Sequence, residues 1–334
     1  MRRIKLNFAG REVEFVDREL ALKLIEEWAN RGTYPVQVIY GPEGCGKTAW
    51  LLQSAEFLRE LGFEVIYVNP LNKLTLAEIS INSLREELLK LIKEAINQNT
   101  LARIAWIAYN VAYDVIKATR GRIAIIVDDA FQVIGVKESA MYVKALLNLI
   151  EYPPEHYERI VTIAATSEGV SLREIGRHRW AETIPMWNMS REGFEQLYNQ
   201  IPGRKLSLDD AWRLTGGNPA MLENLYRVDW NVGKVADRLI REKGITYSFT
   251  RKWLNHLREA VNDPDYLWYN APEELTNELI GKNLILYFLP DRDQQFWVDQ
   301  PPPNRDLELG IGKYIAWQTP LHREAVRRGL QGFA

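Results

Sequence analysis

Val36-Gln37-Val38-Ile39-Tyr40-Gly41-Pro42-Glu43-Gly44-Cys45-Gly46-Lys47-Thr48-Ala49-Trp50-Leu51-Leu52 decides the reading of this chain. Val36 to Tyr40 is a short apolar run of strand type, and Trp50, Leu51, Leu52, Ala55 and Leu58 mark a helix that Gly62 ends. Between them, Gly41-x4-Gly46-Lys47-Thr48 fits the phosphate-loop pattern G-x-x-x-x-G-K-[ST]. The chemistry explains the residue types. Backbone N–H groups must curl around phosphate oxygens, which glycines permit, and the following helix aims the positive end of its dipole at the anion. Lys47 would reach the β- and γ-phosphates, and Thr48 would offer its hydroxyl oxygen to Mg²⁺. Gly41, Pro42, Glu43, Gly44, Cys45, Gly46, Lys47, Thr48 and Ala49 are the phosphate-binding candidates. The bland alternative is a glycine-rich turn; the strand before and the helix after favour the phosphate loop. Cys45 is read as a small residue facing the sheet rather than as a redox switch.

The site needs a second half, a carboxylate at the end of a buried strand. Ile123-Ala124-Ile125-Ile126-Val127-Asp128-Asp129 supplies it. An apolar run followed by an acid is the Walker B arrangement. Asp128 would hold the Mg²⁺ shell, directly or through water, and Asp129 would act on the attacking water as base or orienting group. An acid pair after a strand also serves as a helix cap. A further strand ends in Thr166-Ser167; Thr166 either senses the γ-phosphate or caps the next helix.

Outward from the loop, apolar runs at Glu64 to Val68, Ile123 to Val127, Arg159 to Ala165 and Glu182 to Met186 read as further strands. Helical segments about 76–97 and 100–119 lie between them. The alternation predicts an α/β fold with a mainly parallel sheet covered on both faces. At the start, Ile4, Leu6 and Phe8 alternate, Ala9-Gly10 turns, and Val13 and Phe15 alternate again, a short hairpin. Asp17 can cap a helix from Arg18 to about Asn30. After Ser190 the pattern changes to four short helices, 190–199, 207–214, 218–227 and 232–242, with no strand between them: a small helical lid. Residues 246–334 show helix signals at 248–261 and 272–281. Leu284 to Leu289 and Lys313 to Trp317 can pair across a long polar loop, and a last helix runs from about Pro320 to Leu330, a winged-helix-like order.

Composition narrows the classes. The 334 residues suggest two or three domains. At 46% hydrophobic the chain is of globular type, and no run approaches the ~20 apolar residues of a bilayer span. No apolar segment follows Met1-Arg2-Arg3, so no signal peptide and a cytoplasmic location are expected. One cysteine excludes a disulfide framework and a cysteine-based zinc site. The net charge of −2 argues against a generally basic nucleic-acid coat.

These residues resemble the archaeal ATPase family of P-loop proteins, are similar to the STAND class of ATPases and, more distantly, to the AAA+ initiators of replication origins. The likeness covers about residues 13–230. Phe15-Val16-Asp17-Arg18-Glu19 resembles a box that precedes the phosphate loop and lies against the nucleotide base, with Asp17 where the family has glycine. Asp128-Asp129-Ala130-Phe131-Gln132 resembles the family's acid pair and Phe-Gln segment. Thr215-Gly216-Gly217-Asn218-Pro219 resembles a lid motif whose proline packs on adenine. The resemblance implies nucleotide contacts at Arg18 and Pro219, against plain surface and helix-start readings. It also implies a γ-phosphate contact at Arg177, in cis or across a subunit interface, with Arg173 and Arg179 as competitors and a solvated charge cluster as the bland reading. No arginine stands at Asn218-Pro219, where AAA+ proteins carry a second sensor, which favours a switch over a motor.

The resemblance therefore implies an ASCE-type P-loop core over 1–189, a lid over 190–245 and a winged-helix-like domain over 246–334. It implies ATP and ADP with Mg²⁺ as ligands, and an ATP hydrolase expected to be slow. The chain would be a nucleotide-dependent switch; the alternatives are a DNA-associated helper ATPase, related in role to origin initiators or transposition helpers, and a nucleotide-dependent scaffold with little turnover. Residues 246–334 carry 10 Lys+Arg and 12 Asp+Glu, so DNA contact there would rest on His322, Arg323, Arg327 and Arg328 of the last helix. A homo-oligomer or a protein partner is the remaining candidate, and no membrane is expected.

Overall fold

A computed structural model of the chain describes residues 1–167 and 169–332, and of 170 and 171 the backbone. Strand β1 (Lys5–Phe8) turns at Ala9-Gly10 into antiparallel β2 (Arg11–Glu14). Helix α1 (Glu19–Arg31) starts one residue later than the expected Arg18. Asp17 and Arg18 both take left-handed backbone, φ 66 and 70, which a right-handed helix does not continue. The Asp17 carboxylate accepts from the Ser190 N–H and hydroxyl, both at 3.1 Å.

Next come β3 (Val36–Tyr40), α2 (Lys47–Glu60), β4 (Glu64–Asn69), β5 (Leu74–Glu78), α3 (Asn82–Asn97) and α4 (Ala102–Thr119). They are followed by β6 (Arg122–Asp128), α5 (Phe131–Ile134), α6 (Val136–Glu151), β7 (Arg159–Thr166), α7 (Gly169–Ile175) and β8 (Ala181–Pro185). Six strands form one sheet in the order β5-β4-β6-β7-β3-β8. All neighbours are parallel except β4 and β5. The expected fold class is borne out, with one correction: 74–78 is a strand, not part of a helix from about 76. Leu76 and Ile79 suit a helical face or a strand equally; the open edge of β4 decides, pairing Val65 with Glu78 through Asn69 with Leu74. In β6, Ile123 to Val127 are buried side by side, as a central strand covered on both faces requires. Ile66, Val68, Ile125 and Val127 share a core with Leu88, Ile92, Ala108 and Val115 of α3 and α4.

The chain divides into two compact units. The first comprises Met1–Ile4, Glu19–Tyr40 and Lys47–Pro185, and so holds the sheet. The second comprises Lys5–Arg18, Gly41–Gly46 and the chain from Met186 on. The division falls inside the phosphate-loop motif.

In the second unit, α8 (Arg191–Asn199), α9 (Leu208–Thr215), α10 (Pro219–Arg227) and α11 (Val232–Glu242) follow Ser190, Ser207, Asn218 and Asn231. Each of these four side chains accepts a backbone N–H three residues on, a cap worth about 1 kcal/mol. Gly216, at φ 60, ends α9. The expected helix over 248–261 is two, α12 (Tyr247–Lys252) and α13 (Leu254–Asn262), because Trp253 leaves helical backbone at φ −112, ψ 18. Then follow α14 (Tyr266–Tyr269), α15 (Glu273–Gly281), β9 (Ile285–Tyr287), a 3₁₀ turn at Gln294–Phe296, β10 (Ile315–Trp317) and α16 (Pro320–Gln331). β9 and β10 pair antiparallel. Phe194, Leu222 and Leu239 of the four short helices share one core with Leu257, Leu279, Trp317 and Leu321. Each such side chain, once buried, contributes roughly 1.5–3 kcal/mol.

Candidate functional site

In the first unit, Lys47 and Thr48 open α2, and Asp128 closes β6. Register brings the strand ends together: Asp128 pairs with Ala165, and Thr166 with Tyr40, the last residue of β3. Strand β7 thus lies between the strand that feeds the phosphate loop and the strand that carries the acids. Tyr67 Oη and Asn69 Nδ2, both from β4, donate to Asp128 Oδ2 at 2.9 Å. Asp128 Oδ1 is buried and accepts no hydrogen bond from a described residue. Burial raises the pKa of Asp128; Thr48, Tyr67, Asn69 and Lys47 pull it back. Tyr67 is pushed up in turn by its own burial and by the Asp128 charge.

A buried carboxylate with one oxygen unengaged, beside a threonine hydroxyl and a lysine, is a donor set that suits a hard cation. Thr48 and Asp128 are oxygen ligands of the kind Mg²⁺ takes, and Mg²⁺ completes its shell with waters and phosphates rather than with a protein cage. Among the described residues no group of three or more His, Cys, Asp or Glu could hold a metal ion. Asp129 sits in left-handed backbone, φ 47, with its N–H on the Ala165 carbonyl at 3.0 Å. This fixes it to the end of β7. Thr166 is fully buried there.

In the second unit the loop Gly41–Gly46 is closely packed. A Cβ on Gly41 would stand 2.0 Å from the Met186 carbonyl oxygen. On Gly44, at φ 74, it would stand 2.3 Å from Ala220 Cβ. Only glycine fits either position. Cys45 is buried, its Sγ 3.8 Å from the Met186 carbonyl oxygen, consistent with a small packing residue. The Glu43 N–H donates to Gln318 Oε1 at 2.6 Å, and its carbonyl accepts from Asn218 Nδ2 at 2.9 Å. Burial works against the Glu43 carboxylate, but Lys243 and Asn283 outweigh it and hold its pKa below the ordinary value. Arg18 is 2% exposed. Its Nη2 donates to the Cys45 carbonyl at 2.6 Å and its Nη1 to Asp299 Oδ2 at 2.9 Å. Pro219 opens α10, capped by Asn218, and its Cγ is 4.0 Å from where a Cβ on Gly46 would be.

The other named residues make contacts of their own. Arg177 is in the turn before β8, 72% exposed and paired with Glu174 at 3.0 Å. On α16, Arg323 binds the Leu307 and Glu308 carbonyls, Arg327 pairs with Glu324, and Arg328 with Glu324 and Asp237. His322 is buried against Thr319. Sequence reasoning missed Tyr67, Asn69, Asp299 and Gln318. Tyr67 and Asn69 end an apolar strand next to the acid strand, which is a signal only once strand order is known. Asp299 and Gln318 carry no local pattern. Among the described residues no helix is long and apolar enough to cross a membrane.

A family model described as an ATPase domain predominantly from Archaea matches residues 15–225. Comparison with curated proteins gave no match. Among solved structures, the chain is similar to the ORC2 protein of Aeropyrum pernix in its ADPNP–ADP complexes: 12% identity, 93% of this chain and 94% of that one, TM-score 0.40. Cdc6p from Pyrobaculum aerophilum gives 12% identity, 95% and 93% coverage and a TM-score of 0.38. AMPPCP-bound DnaA from Aquifex aeolicus gives 17%, 78% and 74%, and 0.38. The matched stretch runs from the Arg18 box through the phosphate loop, the acid pair and Asn218-Pro219, so the chain belongs to the family of ATPase domains found predominantly in Archaea.

Proposed function

We propose that the chain binds Mg-ATP and hydrolyses it slowly, as a nucleotide-dependent switch of the STAND/AAA+ type. The observation that carries this is Asp128. A carboxylate buried at the end of β6, held on one oxygen by Tyr67 and Asn69 and beside Thr48 and Lys47, carries a burial cost that a bound cation would offset. Thr48 and Asp128 would hold Mg²⁺, which when bound supplies positive charge to the phosphate oxygens. Lys47 adds a second positive charge at the β/γ bridge. Asp129, placed by its backbone bond to Ala165, orients the attacking water or takes its proton, and Thr166 contacts the γ-phosphate or that water. Arg18 acts on the loop, Pro219 lies against the adenine, and Arg177 meets the γ-phosphate in cis or from a neighbour.

The switch reading assigns 1–189 to the core, 190–245 to the lid and 246–334 to a winged-helix-like module that rearranges with nucleotide. The order of helices α12 to α15 followed by the β9–β10 hairpin supports that module. Equilibrium binding and phosphate release test the proposal together. Lys47→Ala should abolish ATP binding, and Asp129→Ala should keep binding and lose phosphate release. Equal affinity in Lys47→Ala would refute the phosphate-loop assignment. The DNA-associated reading rests on Arg323, Arg327 and Arg328. A salt-dependent DNA shift lost when all three are replaced would favour it, and no binding to any DNA at low salt would sink it.

A further inference from the structure

Three consecutive carbonyls of the phosphate loop are fastened from outside. Glu43 O accepts from Asn218 Nδ2 at 2.9 Å, Gly44 O from the Ala220 N–H at 3.3 Å, and Cys45 O from Arg18 Nη2 at 2.6 Å. In a curled loop, carbonyls directed outward turn the peptide N–H groups toward the concave side. Holding the carbonyls therefore shapes the cradle before an anion arrives, and a preorganised cradle loses less on binding. Arg18 makes the shortest of the three bonds, and its guanidinium makes it charge-assisted.

What holds Arg18 in turn is Asp299. Its Oδ2 accepts from Arg18 Nη1 at 2.9 Å, and both side chains are 3% exposed. A guanidinium this deeply buried needs a counter-charge, and its partner lies 281 positions along the chain, between β9 and β10. That segment is itself anchored. Trp297 is buried edge-on against Trp187 and donates its indole N–H to the Asp291 carbonyl at 2.8 Å, and Gln294 Nε2 donates to the Asp299 carbonyl at 3.0 Å.

We propose that Asp299 is a positioning residue for phosphate binding. It holds the Arg18 guanidinium on the Cys45 carbonyl, and so makes the nucleotide affinity of the phosphate loop depend on the segment between β9 and β10. Gln318, just after β10, serves the same loop. Its Oε1 takes the Glu43 N–H, and its backbone carbonyl accepts from Asn188 Nδ2 at 3.2 Å. Asn188 Oδ1 accepts from Asn218 Nδ2 at 2.8 Å, which closes a ring of amides around Glu43. The inference rests on the ATP-binding reading above.

The test is the affinity of the full chain for Mg-ATP by titration calorimetry, with folding followed by circular dichroism and thermal unfolding. Asp299→Asn should weaken binding about tenfold or more, the worth of a charge-assisted contact. Arg18→Gln should weaken it similarly. Adding Asp299→Asn to Arg18→Gln should cost no further affinity, because Asp299 acts through Arg18. A merely structural role would lower the unfolding temperature and leave the Kd in place. An unchanged Kd in folded Asp299→Asn, or additive losses in the double variant, overturns the inference. If Asp299→Asn does not fold, Arg18→Lys decides by the same readout: it keeps the charge pair but lacks the fork that reaches Asp299 and Cys45 together, and an unchanged Kd there also overturns it. If the unaltered chain binds no Mg-ATP, the ATP reading fails, and this inference falls with it.

Discussion

Between pH 7.5 and 5.0 the side chain of His322 should cost this protein stability as the pH falls. It lies in the first turn of α16, is buried, and shares a 2.8 Å hydrogen bond between Nδ1 and Thr319 Oγ1. Burial pushes its pKa down from 6.5 to about 3, the nearby Lys243 charge pushes the same way, and Glu43 opposes. The folded-state pKa is depressed, so the imidazole stays neutral in the fold while the unfolded chain takes up a proton below about 6.5. Its contribution is full above pH 6.5 and is lost as the pH falls from there toward 3. At pH 5.0 the unfolded state gains about 1.5 pH units of protonation free energy, or about 2 kcal/mol. That is a large share of a typical 5–15 kcal/mol. Glu43, Glu56, Glu158 and Glu278 have lowered pKa values and lose stability in the same direction. Their window opens only near the unfolded carboxylate range, about 4.3. Asp128, raised by burial, acts in the opposite direction, and comparison with a His322 variant removes its effect. Urea unfolding of the intact chain and of His322→Asn, at both pH values, measures the effect. The intact chain should lose about 2 kcal/mol more than the variant. Equal losses in the two proteins would refute the reasoning.

Other outcomes follow from particular contacts. Gly44→Ala puts a Cβ 2.3 Å from Ala220 Cβ in left-handed backbone, so ATP affinity measured by calorimetry should fall; an unaltered Kd would contradict the packing argument. Ser190→Ala removes the α8 cap and a partner of Asp17, and should lower stability by roughly 1–2 kcal/mol in denaturant unfolding. Trp317→Ala empties a fully buried site and strands the Ala260 carbonyl that its indole N–H serves, with an expected cost of about 3–5 kcal/mol by the same measurement. Arg177→Ala should leave the unfolding temperature in place, because the pair with Glu174 is exposed. A fall in phosphate release would then report a γ-phosphate contact, and full activity would remove Arg177 from the site.

The strands of the sheet and the four short helices were legible because their signals are local. Five apolar residues before Asp128-Asp129, rich in β-branched side chains, read as a covered strand. Ser190, Ser207, Asn218 and Asn231 each mark a helix start by chemistry that acts within three residues. The reading slipped where a local signal was ambiguous. Leu76 and Ile79 suit two periods, and the edge of β4 chose the strand. Trp253 continues the apolar stripe of a helix but not its backbone.

The phosphate loop, the acid strand and the alternation that makes the sheet mainly parallel were each written in residues adjacent along the chain. Only the tertiary structure placed β7 between β6 and β3, bringing Thr166 and Asp128 to one edge, because strand order depends on crossovers that no local period encodes. It also gave Arg18 its partners. A buried guanidinium must find a carboxylate and a carbonyl somewhere, but Asp299 and Cys45 become its neighbours only when distant segments pack, and nothing in the spacing of Arg18 announces either.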